Sequence, residues 1–220
     1  MKPSPEIIST HDGSNSLFLP ELNETYHSIH GAIAESRHVF LLNGLERLME
    51  ALKSLKVLEV GFGTGLNAML AAQWSRDQQV HLDYHTLEKY PLAIPLIQQL
   101  NYGETLKDPE LYLQLHQVNW GTIQTIHPFF SIRKEEGDLI EIALESDFDV
   151  VFFDAFAPNK QAEMWGENIF RKIYQSMKKG ALLTTYCAQG AVKRTLKSVG
   201  FTVEACPGPP GKREMTLAWK

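Results

Sequence analysis

The sequence predicts an α/β fold, a doubly wound and mostly parallel sheet covered by helices on both faces. Short β-branched or aromatic runs alternate with helix-period segments along most of the chain. A glycine-rich turn, GFGTG, joins the first such run to the helix after it. At the far end FTVEACPG (201–208) and REMTLAWK (213–220) are joined only by a short Gly- and Pro-rich link, so the last two strands should pair antiparallel.

Taken in order, LERLMEALKS (45–54) has a helical period, and KVLEV (56–60) is an apolar strand that stops at Gly61. A helix follows over GLNAMLAAQWSRD (65–77), then the strand VHLDYHTLEK (80–89). PLAIPLIQQL (91–100) and the stretch after it read as helical, with Pro95 confining the first to a broken or late-starting helix. PFFSIRKEEGD (128–138) and FDVVFFDAF (148–156) read as strands separated by a short helix, LIEIALES (139–146). MWGENIFRKIYQSMKKG (164–180) is an amphipathic helix with Gly180 at its stop position. ALLTTYCA (181–188) is the next strand, and GAVKRTLKSVG (190–200) the last helix.

A chain of 220 residues that is 44% apolar is long enough for one well-buried domain with a small extension. No apolar run approaches the roughly 20 residues that span a bilayer, and MKPSPEIIST lacks the apolar centre of a signal peptide, so the expected compartment is the cytoplasm, with no membrane partner. Cys187 and Cys206 lie in apolar strand-like runs with no metal-ligand spacing, which favours buried free thiols over a disulfide and predicts no metal. The net charge is −5, yet residues 171–220 hold ten Lys or Arg against Glu204 and Glu214, leaving −13 for the rest. That asymmetry either sets a basic face for a polyanion or only solvates helix faces.

An open sheet of this kind binds its ligand beyond the carboxyl ends of its strands, and the unusual residues fall there. LEVGFGTGLN (58–67) places Gly61, Gly63 and Gly65 at alternate positions, with Glu59 before them and Asn67 after. The spacing is G-x-G-x-G, unlike the G-x-G-x-x-G of dinucleotide loops. A carboxylate at 59 would repel a pyrophosphate and attract a cationic amino group, so the loop suits S-adenosyl-L-methionine (SAM). Glu88 ends the next strand, where it can accept both ribose hydroxyls, and Gly137-Asp138 ends the third, where it can accept from an adenine amine. Each acid also has a structural explanation: Glu59 can pair with Lys56, Glu88 with Lys89, and Asp138 can cap a helix from Leu139.

The fourth strand ends its apolar run in a lone carboxylate, Asp154, followed by Phe156 and Pro158. A carboxylate there can orient an amine and take its proton while an aromatic face holds a flat base, or it can cap a turn while Phe156 fills the core.

This pattern resembles the class I SAM-dependent methyltransferases across about residues 40–220, which implies a seven-stranded sheet with SAM over its carboxyl edge. DAFAPNKQAEMW (154–165), TTYCAQGAVKRTLKSVGF (184–201), GPPGKREM (208–215) and ETYHSIHGAIAESRHVFL (24–41), with EVGFGTGLN, resemble the tRNA wobble-uridine methyltransferases known as the MnmC methyltransferase domain or, standing alone, MnmD. An N-terminal extension (1–44), serving as a lid, a β-hairpin around Asp12-Gly13 or a dimer contact, is expected to pack on a methyltransferase domain (45–220). The resemblance implies SAM as donor and the exocyclic amine of 5-aminomethyl-(2-thio)uridine in the anticodon region of tRNA as acceptor. It assigns Glu59, Gly61, Gly63, Gly65, Asn67, Glu88, Asp138 and Asp154 to the donor, with Tyr26 closing over its methionine part. Asp154 and Phe156 fall to the acceptor amine, and Lys193, Arg194, Lys212 and Arg213 to tRNA phosphates. His27 and His30 are better explained as structural than as bases, and Trp165 either stacks on a base or fills the core with Met164. In fused relatives a flavin oxidase domain follows; this chain stops at Lys220, so an oxidase step is expected from a separate protein. The competing expectations are a SAM enzyme acting on a small amine, a nicotinamide oxidoreductase, and a SAM-binding protein without catalysis.

Overall fold

The structure is a computed structural model that describes residues 5–48 and 53–220. A small antiparallel sheet comes first, of β1 (Glu6–Ser9), β2 (Asn15–Leu19) and β3 (Glu24–Thr25). Asp12 closes the β1–β2 turn by accepting from Ser14 N at 3.0 Å and Thr10 Oγ1 at 2.8 Å, with Gly13 at φ +83° beside it. α1 (Ala32–Ser36) runs on as a π-helical segment, Arg37–Leu42, and a single 3-10 turn follows at Leu45–Arg47. Of the helix expected over 45–54, the described residues show only this turn, and Ser54 already pairs as a strand; residues 49–52 lie outside the described residues.

The main body alternates as the pattern predicts. It comprises β4 (Ser54–Val60), α2 (Leu66–Gln78), β5 (His81–Glu88), α3 (Ile94–Ile97), α4 (Tyr102–Thr105), α5 (Pro109–Gln117), β6 (Ile123–His127), β7 (Phe130–Glu136) and β8 (Phe148–Phe153). After a 3-10 turn at Ala162–Trp165 come α6 (Glu167–Ser176), β9 (Met177–Thr185), α7 (Gly190–Val199), β10 (Thr202–Pro207) and β11 (Glu214–Trp219). The strands order as β10-β11-β9-β8-β4-β5-β7-β6. The central pairings are parallel, and β11 inserts antiparallel between β9 and β10, as the short link requires.

Three expectations are corrected. The sheet has eight strands where seven were implied, because β6 folds back antiparallel onto β7 across the Pro128-Phe129 turn. No helix forms over 139–146. Asp138 O accepts from Glu141 N and Ile142 N in a single turn, while Lys172 Nζ takes the carbonyls of Leu139 and Ile140 that a helix would use. Finally α6 ends at Ser176, and Gly180 is a bend inside β9 at φ +81° rather than a helix stop. Lys220 Nζ caps the helix end by donating to Tyr174 O at 2.7 Å and Met177 O at 2.6 Å, leaving Met177 free to pair with Phe148.

β8 explains the centre of the fold. All six of its residues are buried, as befits a parallel strand covered on both faces, and alternate side chains go to opposite cores. Phe152 packs with Phe40 and Tyr84 on the α2 side, whereas Phe153 packs with Trp165 and Phe170 on the α6 side. Cys187 and Cys206 are both buried and unpaired. Among the described residues no helix is long and apolar enough to cross a membrane.

Because Phe152 and Phe153 serve separate cores, Phe152→Leu and Phe153→Leu should each cost about 1–2 kcal/mol, and the double variant should cost close to their sum. Urea unfolding of the three variants checks this; a strongly non-additive double would mean that the two cores are coupled.

Candidate functional site

The parallel strands deliver their carboxyl ends to one edge, where a cleft of about 880 Å³ opens. β4 and β8 stay in register to their last residues, Val60 opposite Phe153, and Asp154 N still donates to Val60 O at 3.0 Å. Gly61 and Asp154 therefore leave the sheet side by side. A Cβ on Gly61, which has φ +95°, would lie 2.8 Å from the Asp154 carbonyl oxygen, so only glycine fits. Gly63, at φ +49°, faces the Tyr26 ring, which a Cβ there would meet at 3.1 Å. Gly65 opens α2 in the left-handed region.

The three strand-end acids are brought to this edge, though not in equal positions. Glu88 lines the cleft and gathers the loop, its Oε2 accepting from Gly63 N at 2.9 Å and its Oε1 from Tyr90 N at 2.8 Å. Each oxygen keeps a second lone pair. Asp138 also lines the cleft, but it is held by Lys89 Nζ at 2.7 Å and by Ile140 N at 2.9 Å, and these partners keep its carboxyl below the usual range. Glu59 differs from expectation: it is fully buried beneath the loop and does not line the cleft. Thr86 Oγ1 donates to its Oε2 at 2.6 Å, and burial pushes its carboxyl up to about 8. A neutral acid there cannot attract a ligand's amino group by charge. Lys56 pairs instead with Glu145, and Lys89 with Asp138.

Asp154 is half-buried on the cleft wall. Asn67 Nδ2 donates to its Oδ2 at 2.8 Å, leaving Oδ1 without a protein partner among the described residues. Burial first, then the nearby Glu35, pushes the carboxyl up to about 7, against the opposing effects of Asn67 and Lys212. Phe156 follows it and meets the Tyr26 ring edge-on, with centroids 5.2 Å apart. Trp165 lies in the core, donating from Nε1 to Phe156 O at 2.8 Å, and Met164 is buried beside it.

The N-terminal segment forms the opposite wall, from Leu19 to Ile29. Tyr26 covers Gly63, and burial raises its hydroxyl pKa. His27 is buried, its Nε2 lying 2.8 Å from Thr64 Oγ1, and burial lowers it to about 4, so it is a neutral clamp on the loop. His30 is exposed outside the cleft. Two residues to which the sequence analysis gave no role also enter the cleft, Glu35 from α1 and Tyr186 after β9. Lys212 reaches both. Lys193 pairs with Glu214 at 2.9 Å, whereas Arg194 and Arg213 are exposed and in no ion pair among the described residues.

This wall fits SAM on its own terms. Carboxylates at Glu88 and Asp138 alternate with apolar Leu87, Leu92 and Leu139, as a nucleoside needs, and the glycine loop lets a ligand approach the backbone. The volume leaves room for an acceptor base beside Phe156. Among the described residues no group of three His, Cys, Asp or Glu could hold a metal ion.

Comparison with known proteins agrees. A family profile described as S-adenosyl-L-methionine-dependent methyltransferase matches residues 135–220. The tRNA 5-methylaminomethyl-2-thiouridine biosynthesis bifunctional protein MnmC of Cupriavidus necator is 33% identical over 214 residues, covering 91% of this chain and 32% of the relative. The protein of the same name from Marinomonas sp. is 34% identical over 219 residues, covering 90% of this chain and 31% of the relative. The chain thus spans about a third of the length of these curated relatives. Among solved structures, MNMC2 from Aquifex aeolicus superposes with a TM-score of 0.76 at 26% identity, covering 98% of this chain and 70% of that one. Spermidine synthase from Thermotoga maritima, at TM-score 0.55 and 14% identity over 97% of this chain and 72% of that one, shares the fold alone.

Glu59 supplies a test of the buried geometry. Its carboxyl titrates higher in the folded state, at about 8, than the ordinary 4.5 of the unfolded chain, so the folded state holds an extra proton between those values. Its contribution to stability is therefore lost as pH rises through that window, by up to about 1.4 kcal/mol per pH unit. Glu59→Gln should remove this loss, so the variant should gain on the parent between pH 5 and 9 by a few kcal/mol, on the order set by that slope. Urea midpoints across that range check it; parallel pH profiles would contradict the buried neutral acid.

Proposed function

We propose that this chain, which belongs to the MnmC methyltransferase family, N-methylates 5-aminomethyl-(2-thio)uridine at the tRNA wobble position, giving 5-methylaminomethyl-(2-thio)uridine. The observation that carries the reading is Asp154, fixed at Oδ2 by Asn67, open at Oδ1, and flanked by the Phe156 ring in a cleft large enough for donor and base.

SAM, when bound, supplies a methyl group on a positively charged sulfur that a neutral amine can take. Glu88 would accept from the ribose hydroxyls with its remaining lone pairs, and Asp138 from the adenine amine. The Gly61–Gly65 loop would admit the methionine part, with Tyr26 covering it. Glu59 acts from below, by holding Thr86 and bordering Asn67, rather than by contact. Asp154 also borders the methyl-donating end, since it leaves the sheet beside Gly61.

An alkyl amine is protonated near neutral pH and attacks only after losing a proton. Asp154 Oδ1 is placed to accept that proton, and burial tunes its affinity towards the working pH. Phe156, steadied by Tyr26, offers a face for the uracil ring and excludes water from the amine.

The tRNA would approach over the basic segment 171–220. Arg194 and Arg213 have the free charge that phosphates need, while Lys193 and Lys212 are already paired and would contribute less. We assign the reaction to the cytoplasm.

Two outcomes are expected. Asp154→Asn should retain SAM binding yet lower kcat for methyl transfer to tRNA by about 10²- to 10⁴-fold, read by labelled methyl and nucleoside analysis. SAM binding without any label in tRNA from the parent protein would redirect the search to small amines. Arg194→Ala and Arg213→Ala should each flatten the slope of log affinity against log salt by about one, and Lys193→Ala by less. Equal slopes in all three would exclude these arginines as phosphate contacts.

A further inference from the structure

Glu35 belongs to the short helix α1, and the residue is 7% exposed. Oε2 accepts from Ser28 N at 2.7 Å, and Oε1 from Lys212 Nζ at 2.7 Å. Lys212 comes from the β10–β11 turn, and its Nζ lies 3.9 Å from the centroid of the Tyr186 ring. Tyr186 Oη in turn donates to Ala155 O at 2.8 Å, one residue from Asp154. Three segments far apart in sequence thus converge on one spot, and Glu35, Tyr186 and Lys212 line the same cleft as Asp154. A mostly desolvated ion pair contributes little net stability, so holding the extension down does not by itself account for this one.

We propose that Glu35 is a positioning residue of the acceptor site: with Lys212 seated on Tyr186, it fixes the charge around Asp154 so that the site takes a protonated alkyl amine in preference to a neutral hydroxyl or amide. The inference rests on the reading that Asp154 faces the acceptor nitrogen.

The groups that face Asp154 come from six parts of the fold. They are Glu35 from α1, Lys212 from the β10–β11 turn, Glu59 from β4, Tyr84 from β5 and Tyr186 after β9, with neutral Asn67 from α2. Burial keeps Glu59 protonated up to about 8 and raises both tyrosines further. At neutral pH the charges left are therefore Glu35 and Lys212, which act in opposite directions: Glu35 strengthens the hold of Asp154 on a proton and Lys212 weakens it. The proton passes from the ammonium nitrogen to Asp154 Oδ1, and the N–H electron pair stays on nitrogen as the attacking lone pair. A hydroxyl or an amide offers neither a positive charge for Glu35 and Asp154 to attract nor a proton that such a weak base can remove.

Carbon-13 titration of the Asp154 carboxyl, assigned with Asp154→Asn, tests this without any acceptor. Glu35→Gln should move the titration to lower pH and Lys212→Met to higher pH, each on the order of one unit, with Glu35→Gln/Lys212→Met returning near the parent. The acid limb of kcat/KM for methyl transfer to tRNA bearing aminomethyluridine should shift in the same directions. An unmoved titration, or two single variants moving the same way, overturns the inference. Should Glu35→Gln not fold, Lys212→Met and the double variant decide it. If the titrations move as stated while no tRNA is methylated, the charge arrangement stands and the tRNA reading fails; methylated tRNA with an unmoved titration sinks this inference alone.

Discussion

The parallel pairing of β4 with β8 is the constraint on which the cleft depends. It ends both strands together, so the first glycine of the loop and Asp154 emerge side by side, with room at position 61 for glycine only. Register there is enforced by burial. A slip of one residue would send Phe152 and Phe153 to each other's cores, and both cores are already filled by aromatic partners. Two adjacent phenylalanines thus set where the Asp154 carboxylate leaves the sheet. The Asn67 hydrogen bond then fixes its orientation from the start of α2.

Beneath and beside that edge, polar groups are held neutral where charge would be unpartnered. Thr64 O accepts from Tyr112 Oη at 2.9 Å and from His116 Nε2 at 3.1 Å, and Lys134 Nζ donates to His116 O at 2.7 Å. Burial lowers His116 to about 3, with Lys134 acting in the same sense, and His27 clamps the hydroxyl of Thr64 from the other wall. The loop is thereby pinned from both sides. Charge is kept on the cleft side instead, in Glu35, Lys212 and the tunable Asp154. The N-terminal segment supplies Tyr26, His27 and Glu35 to this arrangement, so it completes the site as well as covering it.

Much of this was legible in the sequence because it depends on local patterns. Strand-to-turn transitions exposed the glycine loop, Glu88, Asp138 and Asp154, and the Gly- and Pro-rich link exposed the antiparallel end of the sheet. The misses share a cause, since each was decided by a partner distant in sequence. Lys220 ends α6 before Gly180, Lys172 takes the carbonyls that a helix at 139–146 would need, and Ser54, at the end of the helical period read over 45–54, pairs in β4 instead. β6 carried a signal in the alternation IQTIH ahead of Pro128, weakened by its exposed edge. Glu59 was placed correctly on a strand end, but the sequence did not reveal that its side chain turns beneath the loop. Glu35 and Tyr186 sit inside segments that carry the resemblance, yet nothing local marks them, because their position depends on long-range convergence.

The most direct test is a crystal structure with S-adenosylhomocysteine and an anticodon stem-loop carrying 5-aminomethyluridine. The exocyclic nitrogen should lie within hydrogen-bond distance of Asp154 Oδ1, with the uracil ring against Phe156. An acceptor nitrogen seated away from Asp154, or a stem-loop that leaves the cleft beside Phe156 unfilled, would contradict the proposed function.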